Sequence, residues 1–93
     1  MKKFVFLAHG EMDQGPEARD AHQRWWASMQ GSVVDSGNPL IDVRDVGKDG
    51  AVSTDVEDPA KGYTIVEAES MDAAVALLEG CPMDMWVYEA MPM

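Results

Sequence analysis

GYTIVEAESMDAAVALLEGCP, residues Gly62 to Pro82, contains a strand, a helix and the boundary signals of the helix in one continuous run. Tyr63 to Glu69 begins with good β-formers, Tyr, Thr, Ile and Val, and reads as a strand. Ser70 then stands where an N-cap belongs, with Asp72 in the first turn, which predicts a helix over Met71–Glu79. Gly80 follows in the C′ position that left-handed backbone favours, and Pro82 forbids continuation. At helical spacing Met71, Ala74, Leu78 and Cys81 form an apolar stripe, broadened by Val75 and Leu77. The next segment, MWVYEA from Met85 to Ala90, completes a strand–helix–strand unit.

The N-terminal part repeats that order. Lys2 to His9 reads as a strand, with Phe4, Phe6 and Ala8 on one face and Val5, Leu7 and His9 on the other. Both faces are apolar, the pattern of a central strand covered on two sides. Gly10 to Pro16 is a loop. Glu17 to Gln30 is a helix, with Pro16 and Glu17 suited to its first turn and Gly31 as its stop. Ala18, His22, Trp25 and Met29 line its apolar stripe, flanked by Ala21 and Trp26. Ser32 to Ser36 is a short strand closed by Gly37-Asn38-Pro39. Residues 42–61 are polar, with a turn at Lys48-Asp49-Gly50, and read as a hairpin excursion. The resulting order is βαββαβ, which defines an α+β class and predicts the ferredoxin-like arrangement: an antiparallel sheet with two helices on one face.

With 93 residues the chain accommodates a single domain, residues 1–93. Seven Lys and Arg against seventeen Asp and Glu give a formal net charge of −10. Phosphate binding needs a cationic face, so nucleic acid is excluded as a partner, and an anionic membrane surface is disfavoured on the same ground. The apolar run near the N-terminus is too short for a signal peptide or a membrane helix. Cys81 is the single cysteine and cannot form an internal disulfide, in keeping with a cytoplasmic setting. Strands apolar on both faces, together with eight Met and three Trp, lead to the expectation of a homodimer packed sheet to sheet.

The Gly62–Pro82 block and VVDSGNPL, Val33 to Leu40, resemble the YCII-related (YciI-like) family of the dimeric α+β-barrel superfamily. The N-terminal strand, the helix bearing His22 and the closing VYEAMPM from Val87 extend the resemblance over nearly the whole chain, although the DGPF tetrapeptide of one branch is absent. The resemblance implies the fold and dimerisation. It implies no single activity, since members of the superfamily include a dehydrochlorinase acting on a chlorinated hydroxyhydroquinone and, in related barrels, lactone isomerases. Some members carry a His–Asp pair near the barrel; matched onto this chain, those residues are His22 and Asp35.

The residues themselves offer the same pair as candidates. His22 sits in an apolar stripe beside Trp25, and an imidazole exchanges protons near neutrality. Asp35, on the strand that follows, is the natural candidate carboxylate to orient it. A core histidine bonded to a backbone carbonyl is the competing explanation. Asp35-Ser36-Gly37 reads both as a strand-ending turn and as a pocket edge where Ser36 or the Gly37 amide holds a substrate oxygen. His9, at the exit of the first strand, and Trp25 are further candidates for lining that pocket; an exposed strand-end histidine is the alternative for His9. Glu67 and Glu89 read as solvated strand ends. His9 and His22 lack metal-ligand spacing, Cys81 has no adjacent base, and no phosphate loop or dinucleotide fingerprint is present, so neither a metal nor a cofactor is expected. Two functions follow: a cofactor-independent lyase or isomerase working through His22 and Asp35 on a small aromatic or lactone-like molecule, or a non-catalytic dimeric module binding a small ligand or a protein.

Overall fold

In the computed structural model, which describes residues 1–93, Phe4, Phe6 and Val66 are fully buried in one side of a four-stranded sheet. The strands are β1 (Lys2–His9), β2 (Val33–Asp35), β5 (Gly62–Ala68) and β6 (Asp84–Glu89), in the spatial order β2-β5-β1-β6. All three neighbouring pairs are antiparallel. Helices α1 (Pro16–Met29) and α2 (Met71–Ala76) complete the domain. The class is α+β, and this strand order is compatible with a ferredoxin-like fold. Two further strands, β3 (Asp45–Val46) and β4 (Val52–Ser53), form a separate two-stranded hairpin within the 42–61 excursion.

Both helices cover the Phe4/Phe6 side. Trp25 and Met29 of α1 and Ala74 of α2 join Phe4, Phe6, Val66 and Ala68 in one apolar core. The Trp25 indole Nε1 donates to the Leu77 carbonyl at 2.9 Å, which ties α1 to the end of α2. A buried indole needs such a partner, because an unpaired N–H in the core costs about 1–3 kcal/mol. Ser70 caps α2 as expected: its Oγ accepts from the Ala73 backbone N–H at 3.1 Å.

Three expectations are corrected. Helix α1 does not stop on a left-handed Gly31; it tightens into a 3₁₀ turn over Gln30–Ser32, and Gly31 is absent from the positive-φ glycines. Helix α2 ends at Ala76, followed by turn residues up to Gly80, which does take φ +83°. Its buried side is set by Ala73, Ala74, Leu77, Leu78 and Cys81, whereas Met71 and Val75 are exposed. A helix of six residues docked by one turn cannot bury a stripe wider than that turn.

Strand β1 is central, between β5 and β6, as expected, and within one chain the helices cover its Phe4–Phe6–Ala8 face. Val5, Leu7 and His9 are half-buried on the opposite face. Their register partners on that face, Ile65, Tyr63, Tyr88 and Trp86, leave it apolar, and Tyr88 is 55% exposed. The molecule measures 42 × 39 × 18 Å, so it is two layers thick. No helix is long and apolar enough to cross a membrane.

Candidate functional site

Between α1 and the β1–β5 half of the sheet lies an open cavity of about 270 Å³. Phe6 and Ala8 of β1 and Thr64 of β5 line it from the sheet, and His22, Trp25 and Trp26 line it from α1. The spacing explains the helix side: residues 22, 25 and 26 lie on one face at i, i+3 and i+4. Met12, Met83 and Met85 add flexible apolar walls. The turn Ser36–Pro39, with Lys61, forms a polar edge.

That turn is held by the local chemistry expected of its residues. The Asp35 carboxylate Oδ1 accepts from the Gly37 N–H at 2.9 Å, closing an Asx turn. Gly37 has φ +72°, and a Cβ there would collide with the Tyr63 carbonyl, so the close approach of the turn to β5 requires glycine. The Thr64 hydroxyl donates to the Ser36 carbonyl at 3.2 Å, and the Tyr63 N–H donates to the Asn38 carbonyl at 3.2 Å. The Lys61 ammonium donates to the Gly10 carbonyl while its side chain borders the cavity.

His22, Trp25, Ser36 and Gly37 therefore come together around one cavity. His22 is exposed rather than sealed in the core, which removes the core-histidine alternative. Its ring meets Trp25 edge-on at 5.6 Å and lies nearly parallel to Trp26 at 6.4 Å. Asp35 is not brought to it. The carboxylate is exposed, is turned to its own Gly37 amide and is outside the cavity lining; no His22–Asp35 ion pair exists. The reason is the demand of the turn itself, since the Asx geometry directs Asp35 along its own backbone.

His9 also lies apart from the cavity. As the last residue of β1 it alternates with Ala8 onto the open face. There it stacks on Trp86, with centroids 3.8 Å apart and planes within 6°. Its Nδ1 is 2.7 Å from Asp58 Oδ2. The second Asp58 oxygen accepts from the Gly10 N–H at 2.7 Å. These two hydrogen bonds, the Gly10 amide first and His9 second, hold the Asp58 carboxyl below its ordinary value. Asp58 was not among the sequence candidates, and nothing short of knowing how the excursion folds back across 49 residues marks it. Lys61 was missed for the same reason; its backbone N–H donates to the Ala8 carbonyl at 2.7 Å, which sets it at the cavity edge.

Elsewhere the chemistry is quiet. Glu67 and Glu89 are exposed. Cys81 is half-buried beside the Met83 carbonyl, and burial pushes its thiol up, away from the reactive thiolate. No cluster of three His, Cys, Asp or Glu side chains is placed to hold a metal ion. No family model, no curated protein and no solved structure matches the chain.

Proposed function

We propose that this chain is a YCII-like, ferredoxin-like domain that binds a small, flat, carbon-rich molecule in the α1–sheet cavity, with His22 as the group that exchanges a proton with it. The observation that carries this reading is a solvent-reachable imidazole at the border of an indole-walled cavity whose far edge is polar. Pockets for small molecules combine apolar walls with a few oriented polar groups. Trp25 and Trp26 supply the walls, Ser36, Asn38 and Lys61 face an oxygen substituent, and His22 takes or returns the proton in a cofactor-independent lyase or isomerase step. A second reading is favoured by one observation: His22 has no carboxylate to fix its tautomer, as suits a binding module without chemistry. In both readings two copies pair through the apolar open face of the sheet to give a dimeric α+β barrel.

Two measurements test this. Titration with phenols, aromatic acids and lactones, followed by NMR of the indole N–H signals, is expected to move Trp25 and Trp26. Unmoved indoles across the panel refute the cavity as a binding site. With a ligand in hand, His22→Gln abolishes turnover but spares binding if His22 does chemistry. Sedimentation at micromolar concentration reads the dimer, and a stable monomer refutes it.

A further inference from the structure

The α1–sheet cavity differs from the rest of the molecule in its charge. Asp and Glu make up seventeen of the 93 residues, yet none of them lines it. Of the seven Lys and Arg in the chain, one does, Lys61. Two carboxylates stand close to the polar edge in the chain order, and both are turned to backbone amides: Asp35 to the Gly37 N–H and Asp58 to the Gly10 N–H. The second Asp58 oxygen meets His9. Among the groups that hold the Asp58 carboxyl low, Lys61 contributes least, so the ammonium charge is not spent there.

The hydrogen bonds of the edge carry the same asymmetry. Its acceptors are taken: the Ser36 carbonyl by the Thr64 hydroxyl, the Asn38 carbonyl by the Tyr63 N–H, and the Lys61 carbonyl by the Leu40 N–H. The Asn38 amide oxygen faces the Tyr63 hydroxyl at 3.4 Å, which leaves the two N–H donors of its nitrogen unengaged. Ser36 enters this network through its carbonyl alone, so its hydroxyl is unengaged too. Lys61 gives one ammonium proton to the Gly10 carbonyl and keeps two. The edge therefore has donors to spare, one group of them charged. An ionised carboxylate, which only accepts, is their complement. At long range the formal net charge of −10 repels anions, so any preference for one must arise locally, at this edge.

We propose that the ligand of the cavity is a flat carboxylate monoanion, with its ring against Trp25 and Trp26 and its carboxylate on Lys61, Ser36 and Asn38. The inference rests on the cavity reading above and narrows it: an acid binds in preference to a neutral molecule of the same shape. Lys61 is then the specificity-determining residue. It fixes which end of the molecule faces the polar edge and leaves the other end to His22.

The probes are 2-naphthoate and 2-naphthamide, which share ring and shape and differ by one charge. Their dissociation constants for the intact protein are read from the indole N–H signals at neutral pH and physiological salt. The naphthoate is expected to bind about five- to tenfold more tightly, because a charge-assisted hydrogen bond is about twice as strong as a neutral one. Lys61→Met is expected to bring the ratio of the two constants to about one. The wild-type ratio tests the proposal without requiring any variant to fold. Indoles that move with neither probe refute the cavity reading and this inference with it. Equal binding of the two probes, tighter binding of the amide, or a preference for the naphthoate that persists in Lys61→Met overturns this inference alone and leaves the cavity reading standing.

Discussion

Replacing Gly37 with alanine tests how the cavity edge is built, and Gly80→Ala calibrates it. Both glycines have left-handed backbone, φ +72° and +83°. An L-residue there loses about 1–2 kcal/mol, partly offset by about 0.4–1 kcal/mol from the reduced freedom of the unfolded chain. At Gly80 nothing lies within 4 Å of the added Cβ, so the net loss is expected to be about 1 kcal/mol. At Gly37 the Cβ meets the Tyr63 carbonyl. That group is backbone within β5 and cannot rotate away, so the turn itself must move. Its displacement puts at risk the Thr64–Ser36 and Tyr63–Asn38 hydrogen bonds, each worth about 0.5–1.5 kcal/mol. Gly37→Ala is therefore expected to cost about 2–4 kcal/mol. For a domain of this size 1 kcal/mol moves Tm by roughly 4–8 °C, so the two variants separate clearly in thermal melts. Urea unfolding followed by tryptophan fluorescence gives the free energies. Equal losses in the two variants would refute the close approach of the turn to β5, and with it the cavity edge.

Three other outcomes are expected. Trp25→Phe removes the indole donor from the Leu77 carbonyl and leaves a gap between the helices, at a cost of about 1–3 kcal/mol in urea unfolding; an unchanged midpoint contradicts the α1–α2 tie. Asp58 titrates below its ordinary 3.8 because of Gly10 and His9. Its contribution is therefore complete above that ordinary value and is lost as the pH falls through the lower folded value. Asp58→Asn is expected to flatten the acid limb of a stability–pH curve, and an identical limb in wild type and variant would count against the pairing. Cys81, raised by burial, is expected to react with iodoacetamide more slowly in the native protein than in urea, with the native rate climbing only at higher pH. Equal rates would place the thiol in solvent.

Sequence alone determined the elements that local chemistry governs. Ser70 opens α2 through capping, and Gly80 turns the chain in left-handed backbone beyond it, both by chemistry that acts within a few residues, although the helix itself stops earlier, at Ala76. The alternation Phe4, Phe6, Ala8 separated the two faces of β1 by its period alone. The i, i+3, i+4 spacing of His22, Trp25 and Trp26 put one histidine and two indoles on one helix face, and the turn after β2 brought Ser36 and Gly37 to the same cavity. What the spacing did not decide is which carboxylate a histidine meets. Asp35 is close to His22 in the chain order, yet its own turn claims it at 2.9 Å. Asp58 lies 49 residues from His9 and reaches it at 2.7 Å, because the end of the excursion folds back onto the Gly10 turn. Whether an apolar strand face is covered is likewise a tertiary matter. Hydropathy marked both faces of β1 as apolar, but only packing determined that one carries the helices and the other lies open. Local rules reach across one helical turn or one strand pair; a side-chain pairing between distant segments is set by the chain path, which no local pattern encodes.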